Sequence, residues 1–164
     1  MRVLKVVEGT SVDGPCLRTS LYLAGCTHQC PGCHNPQSWD PAGGEEMSED
    51  DLMKIIANNE APVTFSGGDP LFQPDAVASL AARIKRELGY NIWCYTGYTW
   101  ESIAKQPRLM EVMKHIDVLV DGPFIMAERD LDIIFRGSRN QRLIDVPATI
   151  AQGKVVEYIP NTGL

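Results

Sequence analysis

Short apolar runs separated by helical segments constrain the fold of this chain more than any other feature. Four runs have the length and the β-branched or aromatic content of buried strands, and they occupy residues 21–25, 62–66, 91–96 and 116–120. Two later apolar stretches, at residues 143–146 and 155–159, are weaker strand candidates. Strands that alternate with helices predict βαβ crossovers and a mostly parallel sheet.

Helical signals lie between these strands. Ser48 precedes three acidic residues, which is typical of a capped helix N-terminus. Pro74 can occupy the first position of a second helix, whose apolar residues recur at helical spacing until Gly89 ends it. A weaker helical stretch covers residues 99–115 and is interrupted by Pro107.

Polar and glycine-rich residues directly follow each strand. They are Cys26, the run from Ser66 to Asp69, Thr96-Gly97-Tyr98 and Asp121-Gly122. Because α/β sheets and βα barrels carry their ligand sites at the carboxyl ends of the strands, we expect these residues to converge on one pocket. The chain has 164 residues, whereas a full eight-unit barrel has about 250. We therefore expect one domain over residues 1–164, an α/β fold built as a partial, open (β/α) barrel of about five or six mostly parallel strands.

Charge and hydropathy argue against several classes of partner. The formal net charge of −6 does not favour nonspecific binding to nucleic acid, which needs basic patches. No apolar run approaches the ~18 residues of a membrane-spanning helix, and residues 1–10 lack the apolar core of a signal peptide. We therefore expect a cytoplasmic protein without a membrane partner, whose five cysteines are metal ligands, redox groups or buried thiols.

The segment from Cys26 to Cys33 carries the sharpest chemical signal. Cys26, Cys30 and Cys33 form the spacing C-x3-C-x2-C, so one short loop can bring three thiolates to one metal centre. Thiolates favour zinc or iron–sulfur clusters over hard cations. A structural zinc site completed by His28 or His34 is one interpretation, and an iron–sulfur cluster is the other.

The number of cysteines in the loop bears on what the metal centre could do. A [4Fe–4S] cluster normally takes four cysteine ligands, and the loop supplies three. Cys16 and Cys94 lie far away in sequence and are expected to be small buried residues. One iron would then stay open to a small molecule, which is typical of a catalytic rather than a structural site.

The cysteine loop resembles the signature of the radical SAM superfamily, in which C-x3-C-x2-C follows the first strand of a barrel. The resemblance implies that Cys26, Cys30 and Cys33 ligate a [4Fe–4S] cluster whose open iron is chelated by S-adenosylmethionine (SAM). It also implies that reduction of the cluster cleaves SAM to methionine and a 5′-deoxyadenosyl radical. Gly32 departs from the common superfamily pattern, which has an aromatic residue before the third cysteine.

Further motifs resemble one group of that superfamily, the glycyl-radical-activating enzymes. Residues 33–40 and 66–70 resemble the group as a whole, whereas residues 95–98, 120–124 and 136–142 resemble its subfamily that activates anaerobic ribonucleotide reductase. This resemblance implies an oxygen-labile enzyme that removes a Cα hydrogen from a glycine of the reductase large subunit. It also implies an electron donor such as a flavodoxin. The activating enzyme of another glycyl-radical enzyme, such as pyruvate formate-lyase, is the nearest alternative.

The remaining motif residues are candidates for contact with SAM. Gly67 and Gly68 lack a Cβ and can bring backbone close to a ligand. The polar candidates are Ser66, Asp69, Thr96, Asp121, Arg136, Ser138 and Asn140. Each candidate also has a structural interpretation, such as stabilisation of its own turn by Asp69. The aromatic residues Trp93, Tyr95 and Trp100 are expected to pack in the core.

Overall fold

Seven strands and five α-helices make up the described part of the chain, residues 1–33 and 36–160 of a computed structural model. The strands are β1 (Arg2–Thr10), β2 (Arg18–Leu23), β3 (Glu45–Glu46), β4 (Val63–Gly67), β5 (Ile92–Tyr95), β6 (Val118–Asp121) and β7 (Arg142–Asp145). The helices are α1 (Glu49–Asn59), α2 (Pro74–Glu87), α3 (Trp100–Ala104), α4 (Pro107–Met113) and α5 (Val146–Gln152). No helix within the described ranges has both the length and the apolar character needed to cross a membrane.

Parallel pairing is confined to the centre of the sheet. The strand order is β3-β1-β2-β4-β5-β6-β7. β2, β4, β5 and β6 are parallel neighbours, whereas β1 pairs antiparallel with β2 and β3, and β7 pairs antiparallel with β6. The fold is thus mixed α/β, and its sheet ends at β3 and β7 without closing into a barrel. The four strong apolar runs of the sequence are the four parallel strands.

The predicted number of strands is too low because two strands do not stand out as apolar runs. β1 mixes valines with charged residues, and β3 is a pair of exposed glutamates. The apolar stretch at 143–146 corresponds to β7, displaced by one residue. The stretch at 155–159 is not a strand, because only a single bridge joins Glu157 to Ile144.

Local signals determine where the predicted helices begin. The Ser48 side chain accepts a hydrogen bond from the Asp51 amide at 3.1 Å and so caps α1. Pro74 is the first residue of α2, and Pro107 begins α4 after the end of α3. The sequence pattern does not predict α5, because this helix follows β7 without a loop. The side chain of Asp145 caps the N-terminus of α5.

The two faces of the sheet are covered differently. Helices pack on one face, where Leu21, Phe65 and Cys94 are fully buried. On the opposite face, Trp93 makes edge-on contacts with Phe135 and Tyr158, at centroid distances of 5.3 and 5.4 Å. The candidate site lies on this second face, at the carboxyl ends of the central strands.

Candidate functional site

A cavity of about 320 Å³ opens at the carboxyl edge of the central strands. The cysteine loop forms one side of it, and residues at the ends of β4 and β5 form another. The sequence-predicted residues that line it are Cys26, Cys30, Cys33, Ser66, Gly67, Gly68 and Thr96. The structure therefore brings together motifs that are up to 70 positions apart in sequence, from Cys26 to Thr96.

Backbone hydrogen bonds anchor the start of the cysteine loop. The amides of Gly25 and Cys26 donate to the carbonyls of Ser38 and Trp39, at 2.8 and 3.4 Å. Ser38 and Trp39 belong to a single 3-10 turn over Pro36–Trp39. The loop thus leaves β2 and returns to lie beside its own starting point, which places the intervening cysteines over the end of the sheet.

The cysteine arrangement bears on which metal centre the loop could hold. In residues 1–33 and 36–160, no three His, Cys, Asp or Glu side chains are placed to hold one metal ion. A tetrahedral zinc site needs four ligand atoms within about 2.3 Å of the same ion. The cysteines of a [4Fe–4S] cluster each bind a different iron and therefore stand farther apart. Cys26, Cys30 and Cys33 are half-buried and border one cavity, where all three could bind the same cluster.

His28 connects the cysteine loop to the ends of β4 and β5. Its Nε2 atom lies 2.7 Å from Oδ2 of Asp69, and its ring contacts Tyr98 edge-on at 4.7 Å. Gly97 permits this position, because a Cβ there would lie 2.6 Å from the His28 ring. This contact occupies Nε2 of His28 and leaves Nδ1 as the nitrogen that a zinc site would use. His34, the other candidate for that site, and Asn35 lie outside the described residues.

Asp69 is buried behind the cavity wall and does not line the cavity. Besides His28, its carboxylate accepts hydrogen bonds from the Leu71 amide at 2.9 Å and the Gly97 amide at 3.0 Å. The Thr96 hydroxyl lies 2.9 and 3.0 Å from the two carboxylate oxygens. A ligand ammonium would have to displace one of these partners. The geometry therefore favours turn stabilisation by Asp69, and contact with SAM stays a prediction.

Packing leaves no room for a side chain at Gly67, the last residue of β4, or at Gly68, which follows it. A Cβ on Gly67 would lie 2.2 Å from the Leu23 amide nitrogen, and Gly67 has a positive φ of 102°. A Cβ on Gly68 would lie 2.4 Å from the Gly25 carbonyl oxygen. Both glycines line the cavity, so their backbone lies close to the loop that carries the cysteines. Substitution of Gly68 would displace the base of that loop, whereas substitution of Gly67 would displace the backbone of β2 at Tyr22 and Leu23.

Asp121 is engaged by protein groups rather than exposed to the cysteine cavity. Its buried carboxylate accepts from the Trp100 amide at 2.9 Å and from Nη2 of Arg142 at 2.6 Å. Arg142 also bonds to Glu101 at 2.7 Å, and these hydrogen bonds raise the pKa of Arg142. Asp121 and Asn140 border a neighbouring cavity of about 410 Å³. The geometry therefore favours a structural role for Asp121, and its contact with SAM stays a prediction.

The segment from Arg136 to Gln141 is tied to itself and to the residues after β6. The Ser138 hydroxyl donates to Oδ1 of Asn140 at 2.5 Å, and Nδ2 of Asn140 donates to the Pro123 carbonyl at 2.8 Å. Nη1 of Arg136 donates to the Gln141 carbonyl at 3.4 Å. None of Arg136, Ser138 and Asn140 is among the cavity-lining residues, whereas Gln141 is one of them. The geometry favours a structural role for the three predicted residues.

Three further cavity residues are absent from the predicted site. Asp13 and Tyr22 lie outside the motifs, whereas Tyr95 belongs to the motif at residues 95–98 but is expected to pack in the core. Asp13, Tyr22 and Tyr95 line the cavity, and the Tyr22 hydroxyl donates a hydrogen bond to the Asp13 carboxylate. Burial, together with this bond, raises the pKa of Tyr22. The alternation of side chains along β2 predicts that Tyr22 lines the cavity. Its neighbours Leu21 and Leu23 pack under the helices, so Tyr22 must face the cavity side.

Comparison with known proteins agrees with a cluster-binding chain. Residues 12–144, which include the cysteine loop, match the family described as a 4Fe-4S single cluster domain. The anaerobic ribonucleoside-triphosphate reductase-activating protein of Haemophilus influenzae is 34% identical, and the match covers 86% of this chain and 96% of that protein. The proteins of the same description from Salmonella typhi and Enterobacteria phage T4 are 39% and 31% identical over 79% and 80% of this chain. The chain therefore belongs to the family of anaerobic ribonucleoside-triphosphate reductase-activating proteins.

Proposed function

We propose that this chain is a radical SAM activating enzyme that forms a glycyl radical on the large subunit of anaerobic ribonucleotide reductase. The observation that carries the proposal is the single cavity shared by Cys26, Cys30 and Cys33 with the glycine turn after β4. Membership in a family named for activation of that reductase supports the choice of partner. We further propose that residues 1–164 act as one domain, a partial, open barrel of the radical SAM type.

In the proposed site, Cys26, Cys30 and Cys33 hold a [4Fe–4S] cluster through their thiolates. Three cysteines leave one iron for the amino and carboxylate groups of SAM. Burial raises the pKa of Cys26, so loading of the cluster releases the proton of this thiol. The backbone of Gly67 and Gly68 lies beside the cysteine loop and can hydrogen-bond the methionyl part of SAM.

A cluster held by Cys26, Cys30 and Cys33 would supply the one-electron reduction of SAM that yields methionine and a 5′-deoxyadenosyl radical, and this radical would take the hydrogen atom from the glycine Cα. The residues of this chain hold the two reactants together and limit the access of water. Because the reaction consumes one electron, it needs a one-electron donor such as a flavodoxin. We propose a cytoplasmic location, where thiols remain reduced.

Reconstitution with iron and sulfide under argon tests the proposal. The protein should turn brown with about four iron per chain. With dithionite and SAM, it should release methionine and 5′-deoxyadenosine in equal amounts. Cys26→Ala, Cys30→Ala and Cys33→Ala should each lose iron and SAM cleavage, whereas Cys94→Ala should keep both. Stable zinc binding without SAM cleavage would contradict the proposal.

A further inference from the structure

The connection between β6 and β7 carries a large share of the exposed apolar side chains. Nine large apolar side chains are exposed in the described ranges, and four of them lie between residues 125 and 134. They are Ile125, Met126, Leu131 and Ile134, of which Leu131 is 80% exposed. Single apolar residues on a surface are ordinary, whereas a concentration of them marks a surface that binds another molecule. Residues 124–137 are called the β6–β7 segment below.

Hydrogen bonds give the β6–β7 segment a defined backbone path. The Ile125 amide donates to the Ser138 hydroxyl at 3.2 Å. Arg129 forms an antiparallel bridge with Ser138, and the Asp130 amide donates to the Gly137 carbonyl at 3.3 Å. The two ends of the segment are therefore held together. Because its backbone is already ordered, such a loop loses little conformational entropy when a partner binds to it.

The β6–β7 segment borders the proposed reaction site. Phe124 and Gly137, at its two ends, line the cysteine cavity. The Cε atom of Met126 lies against Gly32 of the cysteine loop, where a Cβ would come within 2.0 Å of it. Met126 thus occupies space next to the position that carries an aromatic residue in the common superfamily pattern. A molecule bound to the segment would be held beside the cysteine loop.

The same segment borders the neighbouring cavity of about 410 Å³. Gly122 lines both cavities, and Ile125 lines the second one. Among the described residues that line the second cavity, none is a cysteine, so the cluster and its SAM are assigned to the first cavity. An extended polypeptide can therefore run from the second cavity to the first along the start of the segment.

The position of the segment indicates which kind of molecule covers it. In the proposed reaction, the target glycine is part of the reductase large subunit and reaches the cavity only with the protein chain around it. The large subunit must then lie against the residues that surround the cavity. Leu131 and Ile134 line neither cavity. A small ligand inside the cavities would leave these two side chains exposed, whereas a protein would cover them.

We propose that the β6–β7 segment is the docking surface for the large subunit, and that Leu131 and Ile134 pack against an apolar surface near its glycine-bearing chain. The inference rests on the proposed function and adds the surface on which the protein substrate is recognised. Removal of the two side chains from water would stabilise the complex, so polar replacements should weaken it.

A double variant with Leu131→Gln and Ile134→Gln tests the docking surface. The reconstituted protein with SAM is titrated with the fluorescently labelled large subunit of the cognate anaerobic reductase. The double variant should raise the Kd and the KM for the large subunit at least about tenfold. Its iron content, its melting temperature and its SAM cleavage without the reductase should match those of the wild type.

Ile150→Gln is the matched control for exposed apolar residues. Ile150 is 46% exposed, close to the 41% of Ile134. It lies on α5, whose first amide, that of Val146, donates to the Asp117 carbonyl just before β6. The control residue is thus near the amino end of β6, whereas the cavity is at the carboxyl ends of the strands. Its Kd for the large subunit should equal that of the wild type.

Two results of the titration would overturn the proposal. They are an unchanged Kd in the double variant and an equal rise of the Kd in Ile150→Gln. Light scattering identifies the occupant in the first case. A wild-type dimer that the double substitution converts to a monomer, without a change in Kd, would mean that a second copy of this chain covers the segment.

Hydrogen exchange of the wild-type protein decides the question if the double variant does not fold. Bound large subunit should slow amide exchange across residues 124–137 and leave exchange in α5 unchanged. Unchanged exchange in the β6–β7 segment would contradict docking there. A wild-type protein that never cleaves SAM would refute the proposed function separately, while the titration and the exchange pattern would still show whether the large subunit binds this segment.

Discussion

Nε2 of His28 lies 2.7 Å from Oδ2 of Asp69, which joins the cysteine loop to the turn that follows β4. The same carboxylate accepts hydrogen bonds from Thr96 and Gly97, which follow β5. One buried carboxylate thus holds three segments around the cavity at fixed positions relative to each other. Because the cysteines lie on the loop that His28 anchors, the geometry of the proposed cluster site depends on Asp69.

Replacement of Asp69 with Asn should destabilise the protein and impair cluster assembly. The amide keeps the shape of the side chain but offers one acceptor oxygen, so the donors of Thr96, Gly97 and Leu71 cannot all be satisfied. We expect the free energy of unfolding to fall by about 2 kcal/mol in a urea titration of the apoprotein. The iron content after reconstitution should fall with it.

Asp75→Asn is the matched control for this substitution. Asp75 is an exposed carboxylate paired with Arg108 on the helical side of the molecule, so the unfolding midpoint and iron content should stay close to wild type. A different result would show that Asp69 contacts the ligand directly. In that case Asp69→Asn would keep wild-type stability and iron content but bind SAM more weakly.

Gly68→Ala should displace the cysteine loop rather than obstruct the ligand alone. The new Cβ would lie 2.4 Å from the Gly25 carbonyl and 2.8 Å from the Ser38 carbonyl, and both are backbone atoms at the base of the loop. We expect a loss of about 1–3 kcal/mol in the free energy of unfolding together with reduced iron content. Chemical denaturation and iron analysis of the same preparation measure the two effects.

Gly89→Ala separates backbone strain from displacement of the loop. Gly89 has a φ of 67° and open space around its Cβ position, so alanine should cost about 1 kcal/mol through backbone strain and leave the iron content unchanged. The packing explanation for Gly68 fails if Gly68→Ala is no less stable than Gly89→Ala and retains full iron.

The three cysteines Cys16, Cys26 and Cys94 should react with iodoacetamide at different rates in the apoprotein. Cys16 is exposed, whereas burial raises the pKa of Cys26 and raises that of Cys94 well above the ordinary value of 9.0. The thiolate is the nucleophile, so a raised pKa lowers the reactive fraction at neutral pH. Mass spectrometry of peptides should show Cys16 modified first, Cys26 later and Cys94 last.

The pH dependence of alkylation checks the direction of the Cys26 shift. Because its pKa is raised, the rate at Cys26 should continue to increase above pH 9.0, where an ordinary thiol begins to level off. Faster modification of Cys26 than of Cys16 at pH 7 would contradict the effect of burial. Loading of the cluster should protect Cys26 without protecting Cys16.

The sequence predicts the centre of the fold well because the relevant signals are local. Apolar runs identify β2, β4, β5 and β6, and Ser48, Pro74 and Pro107 mark helix boundaries through backbone chemistry. β1 and β3 are stabilised mainly by pairing with each other and with β2, so their own residues carry a weak pattern. This pairing depends on tertiary contacts, which the spacing of apolar residues within a strand does not reveal.

The sequence predicts which strand-end residues meet at one cavity, but not the directions in which the polar side chains of the motifs turn. Cys26, Gly67 and Thr96 line the cavity because the parallel strands bring their carboxyl ends together. A polar side chain in a motif can equally turn towards the protein, as Asp69 and Asp121 do. Which way it turns depends on donors far away in sequence, and the sequence alone does not identify them.

The most direct test of the central claim is an electron paramagnetic resonance spectrum of the cognate reductase. The large subunit is mixed under argon with this protein, SAM and a one-electron reductant. The account predicts a glycyl-radical signal that is lost when the target glycine is alanine, and that is lost with Cys26→Ala in this chain. A silent reductase alongside a radical on pyruvate formate-lyase would contradict the assigned substrate, and no signal on either protein would contradict the assigned reaction.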